Sequence, residues 1–140
     1  RYHSSRPTTA IREAGPVLNP QTATDPTWSA RAGSVGSSPE HFSGHSTFSA
    51  AGATVLAGFF CRDEIPFART TDSAPGHEAR TYPSFSAAAA EAGRSRVLGG
   101  LHFEFSNQSA LVAGSGVGAE VLATSLLRTR GATHARGCPL

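Results

Sequence analysis

The hydrophobic and polar residues of this chain follow a helical pattern only from residue 46 onward. Three runs rich in strong helix formers contain no proline, and they cover residues 47–60, 85–98 and 106–128. The third run predicts a helix of about twenty residues, which would extend over ~30 Å. Its many alanine and glycine residues indicate close contact with another helix.

Residue types that begin and end helices stand beside these runs. The candidates are Ser84 or Ser86 before the second run, the Gly99-Gly100 pair after it, and Ser106 or Asn107 at the start of the third. Residues 1–44 hold most of the nine prolines, so we expect a long irregular segment with a short helix near residues 8–13. Residues 129–140 are predicted to form an irregular tail.

The predicted fold class is mainly α, because no alternating strand pattern and no internal repeat occurs. Three helices behind a long irregular N-terminal segment make only a partial helical bundle. We therefore expect this bundle to pack against further helices from another segment, another chain or a second copy.

Composition and charge narrow the functional classes. Apolar residues make up 39% and charged residues 16% of the 140 positions, which favours one folded domain over a disordered chain. The formal charge of +2 is too small, and the arginines are too scattered, to indicate a nucleic-acid partner. The most apolar stretch, residues 110–127, contains Glu120 and three glycines, so we interpret it as a buried helix rather than a membrane span.

Three short segments carry candidate chemistry. They are Arg6-Pro7, Ser43-Gly44-His45, and Ser95-Arg96 followed by His102. The second segment directly precedes a predicted helix, whose free N–H groups and dipole attract an anion, and Gly44 allows close approach of the backbone. The chain has no lysine, and arginine holds oxyanions through paired hydrogen bonds.

These segments resemble, in order and type, the three signature blocks of the vanadium-dependent haloperoxidase and type 2 phosphatidic acid phosphatase superfamily. The blocks are Lys-x6-Arg-Pro, Pro-Ser-Gly-His and Ser-Arg-x5-His-x3-Asp. The flanking stretches TAIRE, ATDPTW and SFSAAAAEAG resemble the bacterial-type haloperoxidase branch. The resemblance implies that residues 1–128 are the C-terminal part of an oxyanion-binding domain with a haloperoxidase/acid phosphatase type of bundle.

The resemblance also implies roles for individual residues. His102 would bind vanadate through one ring nitrogen, and His45 would transfer protons while hydrogen peroxide is used to oxidise halide. Arg6, Ser43, Gly44 and Arg96 would complete the anion cradle, which makes a small anion, halide and peroxide the expected partners.

Two alternatives to haloperoxidase activity stay open. In the phosphatases of the superfamily the histidine pair acts instead as a nucleophile that forms a phospho-enzyme and as a general acid. A non-catalytic relative would keep the fold as a structural or assembly component.

The chain departs from the family pattern at four places. The lysine of the first block would precede Arg1, which is the candidate substitute. Phe42 replaces the proline of the second block, and Ser106 replaces the aspartate of the third, which would orient the histidine. Ser38 stands where haloperoxidases often place an aromatic residue or a histidine near the halide, so the sequence does not indicate a halide.

The remaining features are weaker. The glycine-rich run Gly114-Ser-Gly116-Val-Gly118 follows no strand, so helix packing explains it better than nucleotide binding. Cys61 and Cys138 are too few to form a metal site, but they could pair in a secreted protein. Family habit favours an extracellular or periplasmic location.

Overall fold

The computed structural model describes residues 5–13, 21, 23–31, 33, 35–71 and 75–126. Its elements, in chain order, are helix α1 (Pro7–Arg12), helix α2 (Gly44–Phe60), strand β1 (Phe67–Arg69), a 3-10 turn (Pro75–His77), strand β2 (Arg80–Tyr82), helix α3 (Phe85–Leu98) and helix α4 (Glu104–Thr124). The mainly α fold class is therefore confirmed. The tail at 129–140 and the N-terminal residues 1–4 lie outside the described residues.

Helices α2 and α4 pack closely, and α3 lies against both of them. The close contact depends on glycine, because a Cβ atom at Gly114 would overlap the carbonyl oxygen of Thr47. One turn further along α4, a Cβ at Gly118 would lie 2.7 Å from the carbonyl oxygen of Ala51. The packing interpretation of the glycine-rich run is thus confirmed.

One of the two helix starts expected from the sequence is confirmed. The Ser84 hydroxyl accepts a hydrogen bond of 3.0 Å from the Ala87 N–H at the start of α3. The predicted cap of α4 is wrong, since this helix begins at Glu104 and Phe103 precedes it. Ser106 and Asn107 lie inside α4 because tertiary hydrogen bonds use their side chains, to Glu40 and to Ser46 respectively.

The structure adds two short strands that no alternating pattern in the sequence indicates. β1 and β2 pair antiparallel with Phe67 opposite Tyr82, and these two rings lie 5.4 Å apart between centroids. Phe67 also contacts Phe85 at the start of α3, with ring centroids 5.7 Å apart. Strands of three residues are too short for an alternating pattern, so contact with the helices determines them rather than local sequence.

The core is small, and among the described apolar residues the most deeply buried are Ala110, Leu101 and Ala50. Within the described ranges no helix is long and apolar enough to cross a bilayer. Cys61 is disulfide-bonded, and Cys138, the other cysteine of the chain, falls outside the described residues.

Candidate functional site

Arg6 joins three separate parts of the chain. It immediately precedes α1, where Pro7 takes the first helical position because it needs no N–H partner. One guanidinium nitrogen, Nη1, donates to the carbonyl oxygen of Leu101 at 2.9 Å and lies 3.3 Å from Nε2 of His102. The other, Nη2, donates to the carbonyl oxygen of Ser38 at 2.8 Å and to its hydroxyl at 3.0 Å.

His102 lies in the short connection between α3 and α4, and only 6% of its surface is exposed. A turn at Gly100, where φ is +75°, brings His102 to this position. A Cβ atom at Gly100 would lie 2.5 Å from the ring of Trp28, so the turn needs glycine. The backbone N–H of His102 donates to the carbonyl oxygen of Arg96 at 3.3 Å. Its side-chain Nδ1 lies 3.4 Å from Oε1 of Glu40.

The pKa of His102 is lowered from its usual 6.5, mainly because burial disfavours the charged ring and then because Arg6 is positive. Glu40 opposes this shift but does not reverse it. At neutral pH the imidazole is therefore uncharged. Since arginine can only donate, the contact with Arg6 favours the tautomer whose hydrogen is on Nδ1.

Arg96 lies in the last turn of α3, and its Nε atom is buried with no hydrogen-bond partner among the described residues. Burial and then the charge of Arg6 lower its pKa, so the two guanidinium groups lie close enough to repel each other. A buried N–H without an acceptor is costly, and so is a pair of neighbouring cations. An anion that accepts hydrogen bonds from both arginines would relieve both costs.

The second segment begins α2. Ser43 is fully buried, and its hydroxyl accepts a hydrogen bond of 3.4 Å from the Ser46 N–H and caps the helix. The Ser46 hydroxyl donates its one hydrogen at 2.8 Å to the amide oxygen of Asn107 and lies 2.8 Å from the Ser43 hydroxyl, which ties the start of α2 to α4. Gly44 and His45 are exposed, and their N–H groups, as in the first turn of any helix, have no acceptor within the helix.

The pKa of His45 is lowered from 6.5 by burial and then by the positive charge of Arg96. This histidine is therefore mainly neutral at pH 7 and able to accept a proton. A direct contact joins Arg6 and His102, and the electrostatic influence of Arg6 on Arg96 and of Arg96 on His45 connects the other two predicted residues to this pair. Arg1, the candidate substitute for the family lysine, lies outside the described residues.

Glu40 is a site residue that the sequence interpretation missed. Its carboxylate is buried, with 1% of the residue exposed, and Oε1 accepts a hydrogen bond of 2.9 Å from the Phe103 N–H beside His102. A signal was present in the sequence, because Glu40 is the only Asp, Glu, Lys or Arg between Arg31 and Arg62. A single charged residue in a long uncharged stretch indicates a specific interaction in the interior more than a place on a solvated surface.

Two residues near His102 in sequence, Ser106 and Glu104, make contacts different from those of the Glu40 carboxylate. Ser106, at the position of the family aspartate, donates from its hydroxyl to the backbone carbonyl of Glu40 at 3.0 Å. Glu104 accepts hydrogen bonds from Arg94 at 2.8 Å and from Gln108 at 2.6 Å, on the exposed side of α4. The carboxylate that approaches the histidine thus comes from the loop before α2.

Within the described ranges, no three His, Cys, Asp or Glu side chains come together as a metal-ion site. A site that holds an oxyanion through one histidine and several N–H donors needs no such cluster.

Comparison with known proteins gives an independent view of the same chain. The model of the family described as the VCPO second helical-bundle domain matches residues 1–129. A solved bacterial vanadium-dependent iodoperoxidase is similar to this chain, with 32% identity and a TM-score of 0.64 over 76% of this chain and 25% of that one. Curated proteins gave no match.

Two bacterial vanadium-dependent chloroperoxidase structures share the fold. The holo-type structure has 24% identity and a TM-score of 0.56 over 67% of this chain and 22% of that one. The apo-type structure has 23% identity and a TM-score of 0.61 over 81% of this chain and 29% of that one. The chain thus spans about a quarter of the length of these relatives, which share its helical-bundle fold. With the family model covering all but the last residues, the chain belongs to the VCPO second helical-bundle domain family, within the vanadium haloperoxidase superfamily.

Proposed function

We propose that this chain is the oxyanion-holding part of a vanadate-dependent haloperoxidase that oxidises halide with hydrogen peroxide. The observation that carries the proposal is the buried, unpartnered Nε of Arg96 in a cluster with Arg6, His45 and a neutral His102. Two fixed cations, one unprotonated ring nitrogen and an exposed helix start form a donor set that suits a tetrahedral anion.

The residues present fit vanadate in charge and in chemistry. Nε2 of His102 would be the ligand to vanadium, since it is unprotonated at neutral pH. Arg6 and Arg96 would donate to the anion's oxygens, and the backbone N–H of Gly44 would do so from the start of α2. When bound, vanadate would supply the centre at which peroxide oxidises halide.

The protein side chains have separate tasks in this proposal. The arginine charges neutralise the anion and hold it in place. Because these charges are partly buried, water screens their attraction to the anion less. His45, neutral because burial and Arg96 lower its pKa, accepts a proton from the entering peroxide. The hydroxyl of Ser43 is engaged by the Ser46 N–H and hydroxyl, so Ser43 would act by holding the start of α2 in place beside the anion.

We further propose that the bundle is completed by helices outside this chain. Large apolar side chains point away from the small core, with 82% of Phe48, 75% of Val112 and 70% of Phe59 exposed. Exposed patches of this kind mark contact surfaces. In relatives about three times as long, further segments are available to cover them.

The proposal is tested by incubating the protein with orthovanadate, hydrogen peroxide and bromide or iodide while bromination or iodination of a dye is followed. Activity should require vanadate and should disappear in His102→Ala. His45→Ala should bind vanadate but turn over slowly, since it lacks the proton acceptor. The matched control is His77→Ala, which removes a histidine outside the cluster.

Other outcomes assign the site differently. Hydrolysis of a phosphate ester that vanadate inhibits, and that His102→Ala abolishes, would support the phosphohistidine chemistry instead. No turnover of either kind, together with no vanadate binding, would contradict the proposal and leave a non-catalytic structural role. Both assays are run on this chain and on a chain extended by its neighbouring segments.

A further inference from the structure

We infer that Glu40 is a positioning residue that holds the His102 ring in the tautomer with hydrogen on Nδ1 and with the lone pair on Nε2, where the anion would take the place of the Arg6 contact. Glu40 reaches the ring from the loop before α2, and its Oε1 lies 3.4 Å from Nδ1. Only the expected effect on vanadate affinity rests on the proposed function, since the tautomer is a property of the protein without vanadate.

Glu40 is held firmly enough to orient another side chain. It is almost fully buried, and the Phe103 N–H donates to Oε1 at 2.9 Å, which places this oxygen beside the backbone that carries His102. The Ser106 hydroxyl donates to the Glu40 carbonyl at 3.0 Å. Hydrogen bonds therefore fix both the side chain and the backbone of Glu40, and both donors belong to residues that follow His102.

The other face of the ring selects the same tautomer. Nη1 of Arg6 lies 3.3 Å from Nε2, and a guanidinium has hydrogens to donate but no lone pair to accept with. This contact favours the lone pair on Nε2 and the ring hydrogen on Nδ1, and Glu40 supplies the acceptor that faces this hydrogen. At 3.4 Å the Nδ1 contact lacks the alignment of a hydrogen bond, and such contacts commonly tighten when a ligand binds.

Ser106 is compatible with this role in a way that aspartate would not be. A serine hydroxyl can donate to the Glu40 carbonyl, whereas an ionised aspartate can only accept. A carboxylate at residue 106 would also introduce a second negative charge beside a buried one. In this chain, Glu40 thus supplies the carboxylate beside the ring, and the serine at the aspartate position of the third block supports Glu40.

The test is nitrogen NMR of the protein labelled with 15N-histidine, without vanadate and at neutral pH. In the wild type, the Nδ1 of His102 should show the shift of a protonated ring nitrogen and Nε2 that of an unprotonated one. Glu40→Leu keeps most of the side-chain volume but removes the acceptor, so both signals should move toward the average of the two tautomers. Glu40→Gln keeps an oxygen that can accept from Nδ1, and it should retain the wild-type tautomer.

The matched control is Glu104→Gln, because Glu104 is closer to His102 in sequence but bonds to Arg94 and Gln108. Its spectrum should equal that of the wild type. Titration with orthovanadate should show a dissociation constant about 10- to 100-fold higher for Glu40→Leu, the usual effect of losing such an orienting partner.

Several results would decide against the inference. A wild-type spectrum with hydrogen on Nε2 would overturn it without any variant, so it stays testable even if Glu40→Leu does not fold. Unchanged signals and unchanged vanadate affinity in a folded Glu40→Leu would overturn it too. Absence of haloperoxidase activity, with the expected spectra, would contradict only the proposed function.

Discussion

Replacement of Gly114 by alanine tests the contact that holds α4 against the start of α2. The new methyl group would overlap the backbone carbonyl oxygen of Thr47, which belongs to a helix and cannot rotate away. Gly116 lies on the same helix two residues further on, and a Cβ there would meet no atom within 4 Å. The two substitutions are therefore the same chemical change in a packed and in an open position.

The magnitudes follow from two opposing effects. Alanine stabilises a helix interior relative to glycine by about 1 kcal/mol, and this gain applies to both variants. Forcing a methyl group into a packed contact costs about 1–3 kcal/mol, and it applies only to Gly114→Ala. We expect Gly116→Ala to raise the free energy of unfolding by up to about 1 kcal/mol. The free energy of unfolding of Gly114→Ala should be lower than that of Gly116→Ala by about 1–3 kcal/mol.

Urea unfolding followed by circular dichroism measures both variants, and the slope of the transition should stay constant while the midpoint moves in opposite directions. Vanadate titration of the folded proteins adds a functional measurement. Because Thr47 lies in the first turn of α2, Gly114→Ala should also weaken vanadate binding, whereas Gly116→Ala should not. Equal stability changes in the two variants would refute the assignment of Gly114 to a close helix contact.

Three further predictions concern the site. Arg96→Gln should raise the vanadate dissociation constant about 10- to 100-fold, as expected for losing a charge-assisted hydrogen bond of about 1.5–3 kcal/mol, while Arg94→Gln, in an exposed pair, should have little effect. Arg6→Gln should raise the pKa of His102 toward 6.5, measured by NMR titration. Because that pKa is lowered in the folded protein, stability should fall as the pH drops below 6.5, and Arg6→Gln should reduce that fall. Ser43→Ala should cost about 1 kcal/mol in urea unfolding through loss of the helix cap, and a stability equal to the wild type would contradict the cap.

Local sequence was enough to predict helices α2 and α3 and to choose the residues that could bind an oxyanion. Alanine-rich runs without proline predicted α2 and α3 closely, since helix propensity and serine caps act over neighbouring residues. Arg6, His45, Arg96 and His102 could be chosen as a set because their types suit an oxyanion and their order resembles the family's blocks.

Tertiary contacts decided the rest. α4 begins before Ser106 because that serine bonds to Glu40, a residue 66 positions earlier in the chain, and a local cap rule cannot include such a partner. The same contact brings the Glu40 carboxylate to His102, although Glu104 is much nearer in sequence. The sequence by itself determined which side chains could bind an anion. The tertiary structure alone decided which carboxylate faces the histidine, because that depends on how the loop before α2 packs against the start of α4.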